Sequence, residues 1–582
     1  MKDLIYVCKL QELEDVGVKV VKGGGHGIAV LYEDNHVYAV DNRCPHLGFP
    51  LHMGSTCDGI LTCHWHHARF DIKSGGTLDP WADDVTTYPV VVKAEEVFVN
   101  PTPYNKQSVA KLRRRLREGL EQNISLVIAK AVVGLVENGE SPKNIAQIGV
   151  EFGTKHRQRG WRSGLTILTA MTNVLPYLDK NGKILALYQG LVHVARESAS
   201  MGTRFLLGPL PNTEKKPTMK QLTEWYRHSI EVRDTQGAER VLLTAIEIGA
   251  STEELSDMMM TAITDHFYMN VGHTLDFHNK AFEVLSQLGG ENKQYILASL
   301  LPELANASRS EESNSWQAPI NLVEPLQEAF SRIPSFENST TDEHGVDEEE
   351  LVQQLLSDQP IETIHQLTKA LQQKMSPTRL AQLVTVAAAE RVARFHVQNE
   401  FRDWITVLHT FTHTHAVHES LRRSSSKELT RAIYHGAMSI YLDRFLNTPS
   451  ARRPKVDENC THISNTNELL ELLNKQQQTD EAAKWVVTYL ESSGDKVELF
   501  NTLGHALLRE DAEFHSFQMF EAAITEHEHW RKEDSSLSLK AQETLIIAVT
   551  RYLASHAPTS REIPHTARIA MRLHRGEKLF EE

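Results

Sequence analysis

The sequence predicts a multidomain protein of α and β class, a small antiparallel β domain at residues 1–103 followed by a large, mostly all-α domain at residues 104–582. Three observations carry this. The first hundred residues hold short β-branched and aromatic runs separated by turn residues. From Tyr104 onward, apolar residues recur at three- and four-residue intervals. A chain of 582 residues also exceeds the size at which one hydrophobic core keeps growing.

Within the β domain, LIYVCKL, VGVKVVK, GIAVLYE, HVYAV, ILTC and TTYPVVVKAEEVFV predict strands, punctuated at Gly23 to Gly25, Glu33 to Asn35 and Gly75-Gly76. Among them lie Cys44-Pro45-His46 and, sixteen intervening residues later, Cys63-His64-Trp65-His66. Two cysteines and two histidines can hold zinc, but structural zinc sites more often pair C-x₂₋₄-C with H-x₃₋₅-H. Here each loop supplies one thiolate and one imidazole, the mixture required when two cysteines bind one iron of a [2Fe-2S] cluster and two histidines the other. The five cysteines, Cys8, Cys44, Cys57, Cys63 and Cys460, are too sparse for a disulfide framework.

The flanks Cys44-Pro-His-Leu-Gly48 and Cys63-His-Trp-His66-His-Ala-Arg-Phe70-Asp71, followed by Gly75-Gly76, resemble the cluster loops of Rieske ferredoxins and of Rieske domains in ring-hydroxylating oxygenases. The resemblance covers about the first 100 residues and implies a [2Fe-2S] cluster on Cys44, His46, Cys63 and His66. Where high-potential respiratory Rieske proteins carry a further disulfide pair, this chain has Phe49 and Trp65, which implies the ferredoxin or oxygenase type. His67 stands where that type commonly has glycine.

The remainder reads as a histidine-rich helical domain with two lobes joined near 335–350. Tyr188-Gln189-Gly190 and Tyr434-His435-Gly436 hint at internal repetition, as do the G-H-T/A-L segments at Gly272 and Gly504. Of the 29 histidines, twenty-two follow residue 104. Imidazoles and carboxylates at helical spacing build non-haem iron sites in helical bundles, whereas a lone histidine on an apolar face is more often a hydrogen-bonded core residue. The candidates for a second metal site are His273, His278, His409, His505 and His515. His409 precedes His413 by one turn, and His505 and His515 bracket Glu510-Asp511. Asn270-x₂-His273-x₄-His278 resembles the D/N-x₂-H-x₄-H motif that supplies two iron ligands in Rieske oxygenases, a resemblance that implies His273 and His278 as ligands together with a distant carboxylate. In those oxygenases the motif sits in a mixed helix and sheet domain; here helical sequence flanks it.

These features predict an oxidoreductase, an oxygenase-like protein whose cluster passes electrons to non-haem iron in the helical domain for oxidation of a small organic substrate. No G-x-G-x-x-G follows a strand and there is no P-loop, so a separate reductase or ferredoxin is the expected electron donor. The alternative is an electron-transfer or redox-sensing protein whose helical region is a non-catalytic interaction scaffold. A formal charge of −15 argues against nucleic acid and anionic membrane as partners. The lack of a leader-like N-terminus and of any 18-residue apolar run predicts a cytoplasmic protein without membrane association.

Overall fold

The computed structural model describes all residues except 1–3, 24–26, 105–107, 157–158, 212–215, 290–291, 335–344, 425, 458–462, 464, 493, 578 and 580–582. Gly24 and Gly25 of the first expected turn, Cys460, and most of the join expected near 335–350 lie outside the described residues. The chain divides into two compact units, residues 1–148 with 563–582, and residues 149–562. Helices Val323–Ser331 and Glu348–Leu355, on either side of the expected join, fall in the same unit.

The first unit contains three antiparallel three-stranded sheets. Strands β1 (Ile5–Lys9), β9 (Glu96–Val99) and β8 (Val90–Lys93) form one, in that order. The second is β2 (Val18–Val21), β3 (Ile28–Glu33) and β4 (His36–Asp41), and the third is β5 (Ser55–Cys57), β6 (Ile60–Thr62) and β7 (Arg69–Asp71). Strand β3 explains why its sequence is a continuous apolar run and not an alternating one. Ala29 and Leu31 enter a core with Cys44, Leu61, Cys63 and Phe70, while Ile28 and Val30 enter another with Cys8, Leu13, Tyr88 and Val97. A strand buried on both faces has no polar face to show.

Two-residue turns with both central φ angles positive close three hairpins: Asp34-Asn35 at 47° and 61°, Asp58-Gly59 at 52° and 76°, and Ala94-Glu95 at 48° and 62°. This twist matches the right-handed twist of the flanking strands. The short helix α1 (Leu10–Val16) follows β1. After the sheets come α2 (Val109–Glu121), capped by the Ser108 hydroxyl at the Lys111 N–H, and α3 (Ser125–Glu137). Gly134 permits their close packing, since a Cβ there would lie 2.9 Å from a Leu112 methyl. The helix Glu562–His574 supplies the unit's last element.

The second unit is helical. Three helices matter most for its chemistry: α4 (His273–Leu288), α5 (Phe401–Arg423) and α6 (Phe514–Trp530). They run in the same direction. Gln518 meets Asp276 and Glu521 meets Lys280, while His409 meets His515 and, farther along, His418 meets Glu526. Most of α5 from Trp404 to Leu421 is buried, so its histidines face other helices and not water. The paired Tyr-x-Gly segments share one role: a Cβ on Gly190 would press on Leu168, and one on Gly436 would lie 2.6 Å from the Thr414 methyl. Each glycine marks a close helix crossing. Among the described residues, no helix is long and apolar enough to cross a membrane.

Candidate cluster and metal sites

Cys44 and Cys63 begin two loops of matching backbone geometry. The Cys44 N–H donates to the Phe49 carbonyl at 2.7 Å, and the Gly48 N–H donates back to the Cys44 carbonyl at 2.8 Å. In the second loop the Cys63 N–H donates to the Ala68 carbonyl at 2.8 Å, and the His67 N–H to the Cys63 carbonyl at 2.9 Å. The fifth residue of each loop takes a positive φ, 88° at Gly48 and 61° at His67. Glycine meets this requirement without cost, whereas His67 holds a conformation uncommon for a residue with a Cβ.

Both thiols are buried, and the Cys44 thiol hydrogen-bonds to that of Cys63. That bond, together with the Trp65 and His66 backbone N–H groups, outweighs burial and lowers the Cys63 thiol to about 6. The His46 and His66 rings lie 4.9 Å apart, nearly perpendicular, and Trp81 packs edge-on against His46 at 4.7 Å. Burial, with Lys130 and His66 nearby, lowers His46 to about 4, so its imidazole is neutral. His46 Nδ1 is buried with no hydrogen-bond partner. A buried ring nitrogen left without a partner costs about 1–3 kcal/mol, and a metal bond would remove that cost. Two thiols beside two imidazoles, that of His46 held neutral, fit a [2Fe-2S] cluster with mixed ligation. Cys57 is exposed on β5, its thiol 3.6 Å from the Asp58 carboxylate.

A cavity of about 710 Å³ in the same unit adjoins Cys44 and Pro45 and includes Arg115, Asp83, Lys111 and Asp84 in its wall. Arg115 pairs with Asp83 and Lys111 with Asp84, each at 2.7 Å. Such charged, mutually paired walls differ from the mostly apolar lining of small-molecule pockets.

In the helical unit the structure gathers three of the five candidate histidines. His273 opens α4, His409 sits one third of the way along α5, and His515 lies in the first turn of α6; one ring nitrogen of each lies within 4.8 Å of the other two. His409 Nε2 and His515 Nε2 are 2.8 Å apart, and the His273 ring is 4.5 Å from that of His409. Burial and the neighbouring imidazoles lower His273 to about 3 and His409 to about 2, so both are neutral imidazoles, the form that ligates metals. Behind them, His515 Nδ1 donates to Glu513 Oε2 at 2.6 Å. Burial acts to raise the Glu513 carboxyl, but the hydrogen bonds from His515 and the charges of His515 and His556 together outweigh it and bring the group down to about 2. A carboxylate on the far nitrogen orients a ligating imidazole and raises its basicity. Phe277 and Phe514 flank His273 at 5.4 and 5.7 Å.

The backbone before His273 is strained. Tyr268, Asn270, Val271 and Gly272 have φ of 42°, 48°, 48° and 93°. A β-branched residue in this region is an outlier, and each such residue costs about 1–3 kcal/mol unless its surroundings hold it. The Asn270 N–H donates to the Ser308 carbonyl at 2.9 Å and its amide to Glu303 at 2.6 Å. A Cβ on Gly272 would lie 2.9 Å from the His413 Cβ. The turn thereby fixes where His273 starts the helix.

His278 and His505 do not join this group. Five residues along a helix rotate the side chain by about 140°, so His273 and His278 cannot face one point. His278 is fully buried, with Nδ1 2.7 Å from the Thr274 carbonyl, and Asn270 is engaged by Glu303. His505, near the end of helix Lys496–Leu508, pairs with Asp179 at 3.0 Å. Glu513 was not among the sequence candidates; its signal was an acidic helix cap two residues before a histidine, where it also accepts the Ser516 N–H at 2.8 Å.

Two further groups on the same helices have donor sets suited to an ion, Glu283 with His415 and Glu521, and His418 with Glu419 and Glu526. Cations of the chain already occupy them. The fully buried Lys280 ammonium lies 3.1 Å from Glu283 and 2.7 Å from Glu521. Burial opposes charge on His415, yet Glu526 at 2.7 Å and the Glu521 charge raise it to about 9. Removing one partner from a buried ion pair leaves an uncompensated charge. Lys280→Met is expected to cost about 3–5 kcal/mol, measured by denaturant unfolding of the full chain.

Residues 3–89 match the Rieske [2Fe-2S] domain family. The ferredoxin subunit of 3-phenylpropionate/cinnamic acid dioxygenase from Photorhabdus laumondii is 34% identical over 97 residues, 16% of this chain and 91% of that protein. Apoptosis-inducing factor 3 from Homo sapiens is 30% identical over 109 residues, 19% of this chain; the chain spans only 18% of that relative's length. Among solved structures, the ferredoxin of carbazole 1,9a-dioxygenase from Nocardioides aromaticivorans IC177 is matched over its whole chain and 17% of this one, at 28% identity and a TM-score of 0.17. The domain implies a [2Fe-2S] cluster and iron–sulfur electron transfer. Through its N-terminal segment, the chain belongs to the Rieske [2Fe-2S] domain family.

Proposed function

We propose that this protein is an oxygenase-like Rieske oxidoreductase in which Cys44 and Cys63 hold one iron of the cluster and His46 and His66 the other. In this reading the cluster supplies single electrons to a non-haem metal held by His273, His409 and His515, for oxidation of a small organic substrate. The observation that carries the second half is the convergence of three imidazoles from helices more than a hundred residues apart in sequence. Imidazole donors suit iron, zinc, copper and nickel alike, and covalent attachment to a one-electron cluster favours iron.

The chain's own residues have separable roles. His46 and His66 leave the cluster less negative than four thiolates would, which favours a higher potential. Three histidines leave coordination positions open for reactants, while Glu513 orients His515. The half-buried ring of Phe514 gives an organic substrate an apolar surface beside the triad, and the buried ring of Phe277 packs against His273. A separate reductase or ferredoxin delivers the electrons.

Metal analysis of the full chain tests the proposal. Two irons and two sulfides with about one further metal ion per chain are expected. Two irons and no further metal would instead favour an electron-transfer protein with a non-catalytic helical scaffold.

A further inference from the structure

Helix α3, SLVIAKAVVGLVE, is apolar along most of its length except at Lys130. A buried ammonium costs several kcal/mol unless charges and hydrogen bonds compensate it, so the position of this cation needs a reason. The Lys130 side chain is 14% exposed and points at the first cluster loop. Its Nζ lies 2.5 Å from the Pro45 carbonyl, 2.6 Å from the His46 carbonyl and 3.3 Å from Asp83 Oδ2. Three acceptors match the three N–H bonds of an ammonium; a neutral amine has only two.

The acceptors are themselves held in place. Asp83 also pairs with Arg115 at 2.7 Å, and Arg115 donates to the Pro80 and Ala82 carbonyls at 2.6 and 2.7 Å. Trp81, between those two residues, is the ring that packs on His46. One network therefore touches His46 from two sides, through its backbone carbonyl and through its ring. The helix that supplies the cation lies outside residues 3–89, the span matched to the Rieske domain.

A reduced cluster carries one more negative charge than an oxidised one. A fixed cation on the backbone of the loop that carries Cys44, close enough for its charge to act on that thiol, would stabilise the reduced form and raise the potential. We infer that Lys130 is a positioning and tuning residue, which clamps the Pro45-His46 turn and sets the reduction potential of the [2Fe-2S] cluster. This rests on the proposed ligation by Cys44, His46, Cys63 and His66.

The test is an EPR-monitored redox titration of the full chain carrying Lys130→Met, Lys130→Arg or Asp83→Asn. Lys130→Met should keep the Rieske signal but shift the oxidised-to-reduced ratio at fixed potential at least tenfold toward oxidised, a fall of about 59 mV for a one-electron couple. Lys130→Arg should restore most of the difference, and Asp83→Asn should move the potential upward. A clamp acting by shape alone would not give these opposite signs. An unchanged potential in Lys130→Met with an intact Rieske signal overturns the inference. If Lys130→Met loses the cluster, Asp83→Asn decides: a rise supports the inference, and an unchanged or lower potential overturns it. A wild-type chain with iron but no Rieske signal overturns the ligand assignment and this inference together.

Discussion

Replacing Cys63 by serine is expected to abolish the Rieske EPR signal, whose average g should lie below that of an all-cysteine centre because imidazole ligation makes the two irons inequivalent. The expected loss is complete. Cys63 lies in the same core as Phe70 and Leu61, its thiol receives the hydrogen bond from Cys44, and an alkoxide is a poor substitute for a thiolate on iron. Cys57→Ser is the control, because that exposed thiol has an aspartate as its hydrogen-bond partner and stands apart from both loops. Its signal and sulfide content should equal those of the parent. A Rieske signal persisting in Cys63→Ser would remove Cys63 from the ligand set.

The second large effect concerns the helical unit. His409→Ala should remove the additional metal and leave the cluster signal intact, since His409 stands between His273 and His515 and is the imidazole nearest to each. Glu513→Gln should weaken that metal's binding by about 10–100-fold without abolishing it, as expected for a residue that orients a ligand. His278→Ala should keep the metal while costing about 1–3 kcal/mol, since it removes a buried hydrogen bond to the Thr274 carbonyl. Elemental analysis, EPR and denaturant unfolding of the same preparations separate the three cases. If His409→Ala and His278→Ala lose the metal alike, the triad is wrong.

The two sites differ in how far they were legible in the sequence, for a physical reason. The four proposed cluster ligands fall within 23 positions, in two loops whose hairpin geometry is set by local hydrogen bonds, so residue type and spacing are enough to propose them. The triad depends on three helices running in the same direction with a particular register, and no local pattern encodes that. The short Asn270-to-His278 motif named His273, which the structure places beside His409 and His515, together with His278, which the same helix turns to another side. Helical spacing likewise suggested His413 as the companion of His409; the structure turns His413 toward Gly272 and Tyr268, where it packs against the strained turn. Lys130 was visible as one charge in an apolar helix, but nothing within that helix names the carbonyls it meets.

The division of the first unit between residues 1–148 and 563–582 has a consequence for biosynthesis. Arg43, beside the ligand-bearing loop, donates to the carbonyls of Leu573 at 2.9 Å and Glu577 at 2.5 Å. On the ribosome those acceptors emerge only after some 400 intervening residues, a delay of roughly 20–80 s at ordinary translation rates. Throughout that interval Arg43, next to Cys44, lacks both of these carbonyl partners. Truncation after residue 562, which removes both carbonyl partners of Arg43 and none of the proposed ligands, is expected to lower the iron content of the purified chain.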